Sequence, residues 1–107
     1  MNTERIVITG YRPFAGKEKQ LLKMTMSHVE TLRKEGLASD REAIIMRSTD
    51  GTIVEVFGWK SKDAIKAAHS NPVVNKMWEE YANLCTFLPI GELSEAKEMF
   101  SEFTPVN

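Results

Sequence analysis

Between Lys17 and Glu35 the apolar positions recur at intervals of three and four, and on either side of that stretch they gather in short β-branched runs. Leu21, Leu22, Thr25, His28, Val29 and Leu32 fall on one broad face, the pattern of a helix packed on a core. Gly36 stands where a C-terminal stop is expected, since glycine enters the left-handed conformation without penalty. Before this helix, Arg5 to Arg12 carries Ile6, Val7, Ile8 and Tyr11, which suit a pleated surface, and Pro13 closes the run. After it, Ala43 to Ser48 and Thr52 to Trp59 read as a hairpin around Asp50-Gly51. A two-residue turn there pairs Thr49 with Thr52. It puts Ile44, Met46, Ile53, Glu55, Phe57 and Trp59 on one face, with Ala43, Ile45, Arg47, Val54, Val56 and Gly58 on the other.

The second half repeats the helix-then-strand order. Ser61 is an expected N-cap with Asp63 in the first turn, and that helix runs to about His69. Asn71 caps a second segment with Pro72 at its first position, where a missing N–H costs nothing. Val73, Val74, Met77, Trp78, Tyr81 and Leu84 form its buried stripe. Cys85 to Ile90 reads as the last strand. Glu92 to Asn107 is a mostly polar tail with a helical turn near Ser94 to Met99, and Phe100, Phe103 and Val106 suggest that it packs down. The predicted fold is α+β, a ferredoxin-like βαββαβ unit with an antiparallel four-stranded sheet. Residues 1–107 are expected to form a single domain, with a core over 4–90 and a tail over 91–107.

Two helices can cover one face of such a sheet, and the other face should then turn polar. Here Ile6 and Val7, Ile44 and Ile45, and Val56 and Phe57 place apolar groups on both faces of three strands. A bare face of that kind exceeds what monomers usually expose. A homodimer, two copies sharing that face about a two-fold axis, is the simplest cover. The tail, with three large apolar residues, is too small to shield the whole face.

Composition narrows the function by exclusion. The 107 residues are 42% hydrophobic and 27% charged, as in ordinary globular chains. Fourteen Lys and Arg against 15 Asp and Glu leave a formal charge of -1, and Lys17, Lys19 and Lys23 alternate with Glu18. No basic stripe for nucleic acid results. One cysteine, Cys85, excludes an internal disulfide and a Cys-based metal cluster. Two histidines without a clear third ligand argue against a metal site. The start of the chain has no apolar leader, and no apolar run reaches the roughly 18 residues needed to span a bilayer. The expectation is a cytoplasmic protein without a membrane segment.

The stretch Val54-Glu55-Val56-Phe57-Gly58-Trp59-Lys60-Ser61, followed by Ala67-Ala68-His69-Ser70-Asn71-Pro72, resembles the antibiotic biosynthesis monooxygenase superfamily. The resemblance covers about residues 4–90. It implies a dimeric α+β barrel, and for part of that superfamily oxygenation of a small apolar or aromatic molecule without a cofactor. Other members degrade haem, typically with an Asn on the first strand. This chain has Thr9 and Gly10 there, which argues against haem chemistry.

Four features could carry chemistry. His69, at the helix break beside Ala67 and Ala68, could serve as a general base, or be a helix-end histidine bonded to a backbone carbonyl. His28 is a polar group on an apolar helix face, which means either a pocket or a satisfied core histidine. Glu55 sits among apolar residues, either as a structural ion pair with Arg12 or Arg47 or as an acid or base beside the substrate. Trp59, Met77, Trp78 and Tyr81 could wall a site for a flat ligand, or be plain core. A small binding or structural homodimer without catalysis fits the same features.

Overall fold

The structure, a computed structural model, describes residues 2–107. Its spine is the pairing of β1 (Arg5–Pro13) with β3 (Ile53–Trp59), antiparallel in the register Val7 with Phe57, Thr9 with Glu55 and Tyr11 with Ile53. Strands β2 (Ile44–Arg47) and β4 (Cys85–Leu88) flank this pair. The helices are α1 (Glu18–Lys34), α2 (Lys62–Ala68) and α3 (Pro72–Ala82). The α+β class and the βαββαβ order are as expected, but the sheet has five strands. A short β5 (Thr104–Pro105) extends it to the order β4-β1-β3-β2-β5, antiparallel at every pair.

The helices cover one face, where Leu21, Val29, Leu32, Val74, Met77 and Tyr81 pack against Tyr11, Ile45, Ile53, Phe57 and Trp59. Caps act as anticipated. The Ser61 side chain accepts from Ala64 N–H, and Asn71 accepts from Val73 and Val74 N–H with Pro72 in the first turn. The helix breaks between Ala68 and Pro72, and Gly36 takes φ 75° after α1.

The hairpin departs from its expected register. Ser48 N–H donates to the Thr52 carbonyl at 2.9 Å and Gly51 N–H to the Ser48 carbonyl at 3.1 Å, so the loop holds three residues, Thr49 to Gly51. Gly51, at φ 90°, supplies the left-handed residue that such a loop needs before β3. The Asp50 carboxylate accepts from Ser48 Oγ and from Thr52 N–H and pins the turn. Burial opposes charge on Asp50, but the bonds from Ser48, Thr52 and Arg12 outweigh it and hold its carboxyl well below the usual range. One residue of slip turns β2 over. Ile45 now lies opposite Glu55 on the helix side, while Ile44 and Met46 join Val54 and Val56 on the outer face.

The tail covers part of that outer face. Pro89, which has no N–H, follows β4, and 3₁₀ turns at Ile90–Glu92 and Ser94–Lys97 lead the chain over the sheet. Leu93 is buried with Val54 and Leu88, and Met46, Ile90 and Phe103 pack around them. The Glu95 carboxylate accepts from Thr49 N–H at 2.8 Å. Val106 N–H then donates to the Ile45 carbonyl, and the Asn107 side chain bonds Ile45 N–H and the Ala43 carbonyl, so the β2 edge is occupied. Phe103 and Val106 pack down as expected, whereas Phe100 does not and is 79% exposed. The tail leaves Ile6, Ile8 and Ile44 bare, at 54%, 49% and 53% exposure.

Glu4 ties the start of β1 to the loop after α1. Its carboxylate accepts from Arg41 Nη2 at 2.8 Å and from Ser39 Oγ at 2.6 Å, and these bonds hold its pKa down from 4.5 to about 2. A carboxyl depressed in the folded state stabilises it above pH 4.5 and loses that contribution as pH falls toward 2. Urea midpoints of Glu4→Gln should therefore fall less steeply than wild type across that window. Parallel curves would refute this role.

Candidate functional site

Five polar side chains from four elements meet in the core under α1. Thr25 and His28 lie three residues apart and so share one helix face. Strand β1 contributes Tyr11, β3 contributes Glu55 and α3 contributes Tyr81. All five are buried. The Tyr11 hydroxyl donates to Glu55 Oε1 at 2.8 Å, and His28 Nδ1 lies 2.8 Å from the same oxygen. The Tyr81 hydroxyl donates to Thr25 Oγ1 at 3.2 Å, and Thr25 donates onward to the Leu21 carbonyl at 2.9 Å. The Tyr11 and Tyr81 rings stack with centroids 4.8 Å apart. The His28 ring stands edge-on to Phe57 at 5.3 Å and to Tyr81 at 5.4 Å.

Two acceptor positions in this cluster are unmade. Glu55 Oε2 and His28 Nε2 are buried and have no protein partner. An ionised carboxylate only accepts, so opposite an ionised Glu55 the contact at Oε1 would place a hydrogen on Nδ1, and a neutral imidazole would then carry its lone pair on Nε2. Burial, and after it the charge of Glu55, pushes the Tyr11 hydroxyl well above its usual range, which keeps Tyr11 a donor. The same two causes raise Tyr81. Burial pushes the Cys85 thiol up to about 11, away from nucleophilic use.

His28 also lines a cavity of about 450 Å³ between sheet and helices, within the size range of small-molecule sites. Val7, Phe57, Trp59, Trp78 and Phe87 supply its apolar walls, and Thr9, Tyr11 and His28 its polar groups. No Lys, Arg, Asp or Glu lines it. Among the described residues no group of three His, Cys, Asp or Glu side chains could hold a metal ion.

The anticipated residues distribute unevenly around this cavity. His28, Trp59 and Trp78 line it. Glu55 sits directly behind His28 and is partnered by His28 and Tyr11, in place of the anticipated Arg12 or Arg47. The β1–β3 register puts Glu55 under α1, while Arg12 instead binds Asp50 at 2.9 Å. Tyr81 belongs to the polar cluster behind the wall, and Met77 is core packing. His69 is exposed outside the wall, its ring 5.3 Å from that of Trp78 and its carbonyl accepting from Asn75 Nδ2. Tyr11, Val7, Thr9, Phe57 and Phe87 were not singled out as site residues. Val7, Thr9 and Tyr11 alternate along one face of β1, and that period of two was the available signal.

No protein-family model matches the chain, and no curated protein sequence does. Solved structures do match. A mutant of SnoaB, a cofactor-independent oxygenase from Streptomyces nogalater, aligns with a TM-score of 0.67 at 12% identity, over 80% of this chain and 87% of that one. A second SnoaB structure gives 0.63 at 14% identity with the same coverage. Rv0793 from Mycobacterium tuberculosis gives 0.61 at 18% identity, over 79% of this chain and 92% of that one. This chain shares the fold of these structures. The superposable part of that fold accounts for about four fifths of the chain. No helix among the described residues is long and apolar enough to cross a membrane.

Proposed function

We propose that the protein is a homodimeric, cofactor-independent monooxygenase acting on a small aromatic substrate in the cavity under α1. The observation that carries this reading is His28 Nε2, buried without a partner beside an aromatic-walled cavity and backed by the Glu55 carboxylate. The SnoaB likeness adds a precedent on the same fold.

In this reading a flat substrate lies against Trp59 and Trp78, with its acidic CH₂ toward His28. Neutral His28 takes one proton at Nε2, and Glu55 stabilises the imidazolium that forms, as a buried carboxylate does behind a catalytic histidine. The electron-rich carbanion passes an electron to O₂, and the resulting radicals couple to form a C–O bond. The peroxide regains a proton as hydroperoxide. Loss of the second C–H proton then breaks the O–O bond and expels hydroxide, which becomes water. The balance is R₂CH₂ + O₂ → R₂CO + H₂O, with the carbon oxidised and both oxygen atoms reduced. The apolar walls exclude bulk water from the carbanion. His69 takes no part in this scheme beyond supporting Trp78 from outside. Oxygen uptake with anthrone, an aromatic ketone carrying such a CH₂, tests the activity. No uptake above the buffer rate across a panel of such ketones would leave a binding protein without catalysis.

The dimer reading rests on the bare part of the outer sheet face, where Ile6, Ile8 and Ile44 remain exposed after the tail has packed. Ile8→Asp places a charge at the centre of that patch and should convert a dimer to monomer in sedimentation at micromolar concentration. A wild-type monomer, or an unchanged Ile8→Asp dimer, would overturn this interface.

A further inference from the structure

Tyr11 and His28 share a single carboxylate oxygen, and the second oxygen takes neither. A carboxylate usually spreads its donors over both oxygens, so the doubled contact makes the two donors compete for the same charge. We infer that Tyr11 is a positioning residue that sets, through Glu55, how firmly His28 Nε2 holds a proton, an inference that rests on the reading of His28 as the base. A hydroxyl bonded to Oε1 stabilises the negative charge there and weakens its pull on the imidazole. With Tyr11 in place, His28 can take a proton and still release it. Without Tyr11, the full charge of Glu55 bears on Nδ1–H and the proton is held longer.

The groups packed around His28 are mostly uncharged. Tyr11 from β1, Phe57 from β3 and Tyr81 from α3 stand edge-on to it, Glu55 from β3 bonds it, and Thr9 and Phe87 line the same cavity. Of these Glu55 alone carries charge, and Tyr11 and Tyr81 are the other titratable groups. The Tyr81 hydroxyl donates to Thr25 and makes no hydrogen bond to Glu55, although burial, and after it the charge of Glu55, raises its pKa too. It is a built-in control, a second buried tyrosine beside the same imidazole but outside the competition at Oε1.

The test is the pH titration of the His28 ring by ¹⁵N NMR of the full chain, in a His69→Gln background so that one histidine is read. Tyr11→Phe should raise the midpoint by about half a pH unit or more, and Glu55→Gln should lower it by at least as much. Tyr81→Phe should leave it in place. Opposite movement by Tyr11→Phe and Glu55→Gln is a signature that general loosening of the core would not give, since loosening moves both the same way. If Glu55→Gln does not fold, Glu55→Asp, which retracts the carboxylate from Nδ1, should lower the midpoint too. A Tyr11→Phe midpoint that is unchanged or falls, or a Tyr81→Phe midpoint that rises as far, overturns the inference. The measurement needs no substrate. Failure of the ordering with His28-dependent oxygen uptake intact removes Tyr11 from the scheme and leaves the base. The ordering without any uptake does the reverse.

Discussion

Replacing His28 by Leu should lower the free energy of unfolding by about 3–5 kcal/mol, because it strips a fully buried carboxylate of one of its two donors. Leu fills the space among Phe57 and Tyr81 reasonably well, so the loss is electrostatic and not a cavity effect. The companion change separates the two. Glu55→Leu alone leaves the Tyr11 hydroxyl and His28 Nδ1 unpaired, at about 1–3 kcal/mol for each buried group. In His28→Leu/Glu55→Leu the stranded charge is gone and only the Tyr11 hydroxyl lacks its acceptor. Urea unfolding of the four proteins should therefore show a coupling of about 2 kcal/mol or more, with the double variant more stable than His28→Leu. Additive losses would mean that Glu55 reaches water or another partner once His28 is removed, and that the pair is not sealed as described.

How far the site could be read from the chain depends on the range over which each feature is fixed. The apolar face of α1 is set by residues one turn apart, and Leu21, Thr25, His28, Val29 and Leu32 are the buried positions the spacing selects. The same face marked His28 as an anomaly, and the β-branched company of Glu55 marked that carboxylate. What no local pattern carries is that these two anomalies answer each other across 27 residues, with Tyr11 a further 17 residues before His28 in the chain. Tyr11 reads locally as an ordinary strand aromatic, and only the β1–β3 register turns its hydroxyl toward Glu55. The hairpin shows a second limit. Asp50-Gly51 serves a two-residue or a three-residue loop, and the bonds from Ser48 and Thr52 that choose the longer one are side-chain and backbone details of the folded turn. The fifth strand was hidden because Thr104–Pro105 contains a proline, which is compatible with a strand only at an edge, and an edge is where it lies.

The other large effect concerns turnover. A positioned general base contributes about 10²–10⁴-fold to the rate of proton abstraction, so His28→Gln should reduce anthrone-dependent oxygen uptake by that factor. Gln keeps a polar side chain facing Glu55 and limits the cost to the fold, which separates the chemistry from the stability loss of His28→Leu. His69→Gln should stay within about twofold of wild type, because its ring lies outside the cavity wall against Trp78. Trp59→Ala should instead raise KM, since under the proposed reading the indole would bind the flat substrate alike before and during reaction. A His69→Gln defect as deep as that of His28→Gln would move the base to the helix break.

In the proposed reaction this cavity oxygenates a carbanion directly with O₂. Mass spectrometry of the ketone product formed from anthrone under ¹⁸O₂, with chelator present and no cofactor added, tests it most directly. One ¹⁸O atom in each product molecule, formed by wild type and lost in His28→Gln, is the predicted result. Product without ¹⁸O, or label incorporated equally by His28→Gln, would contradict it.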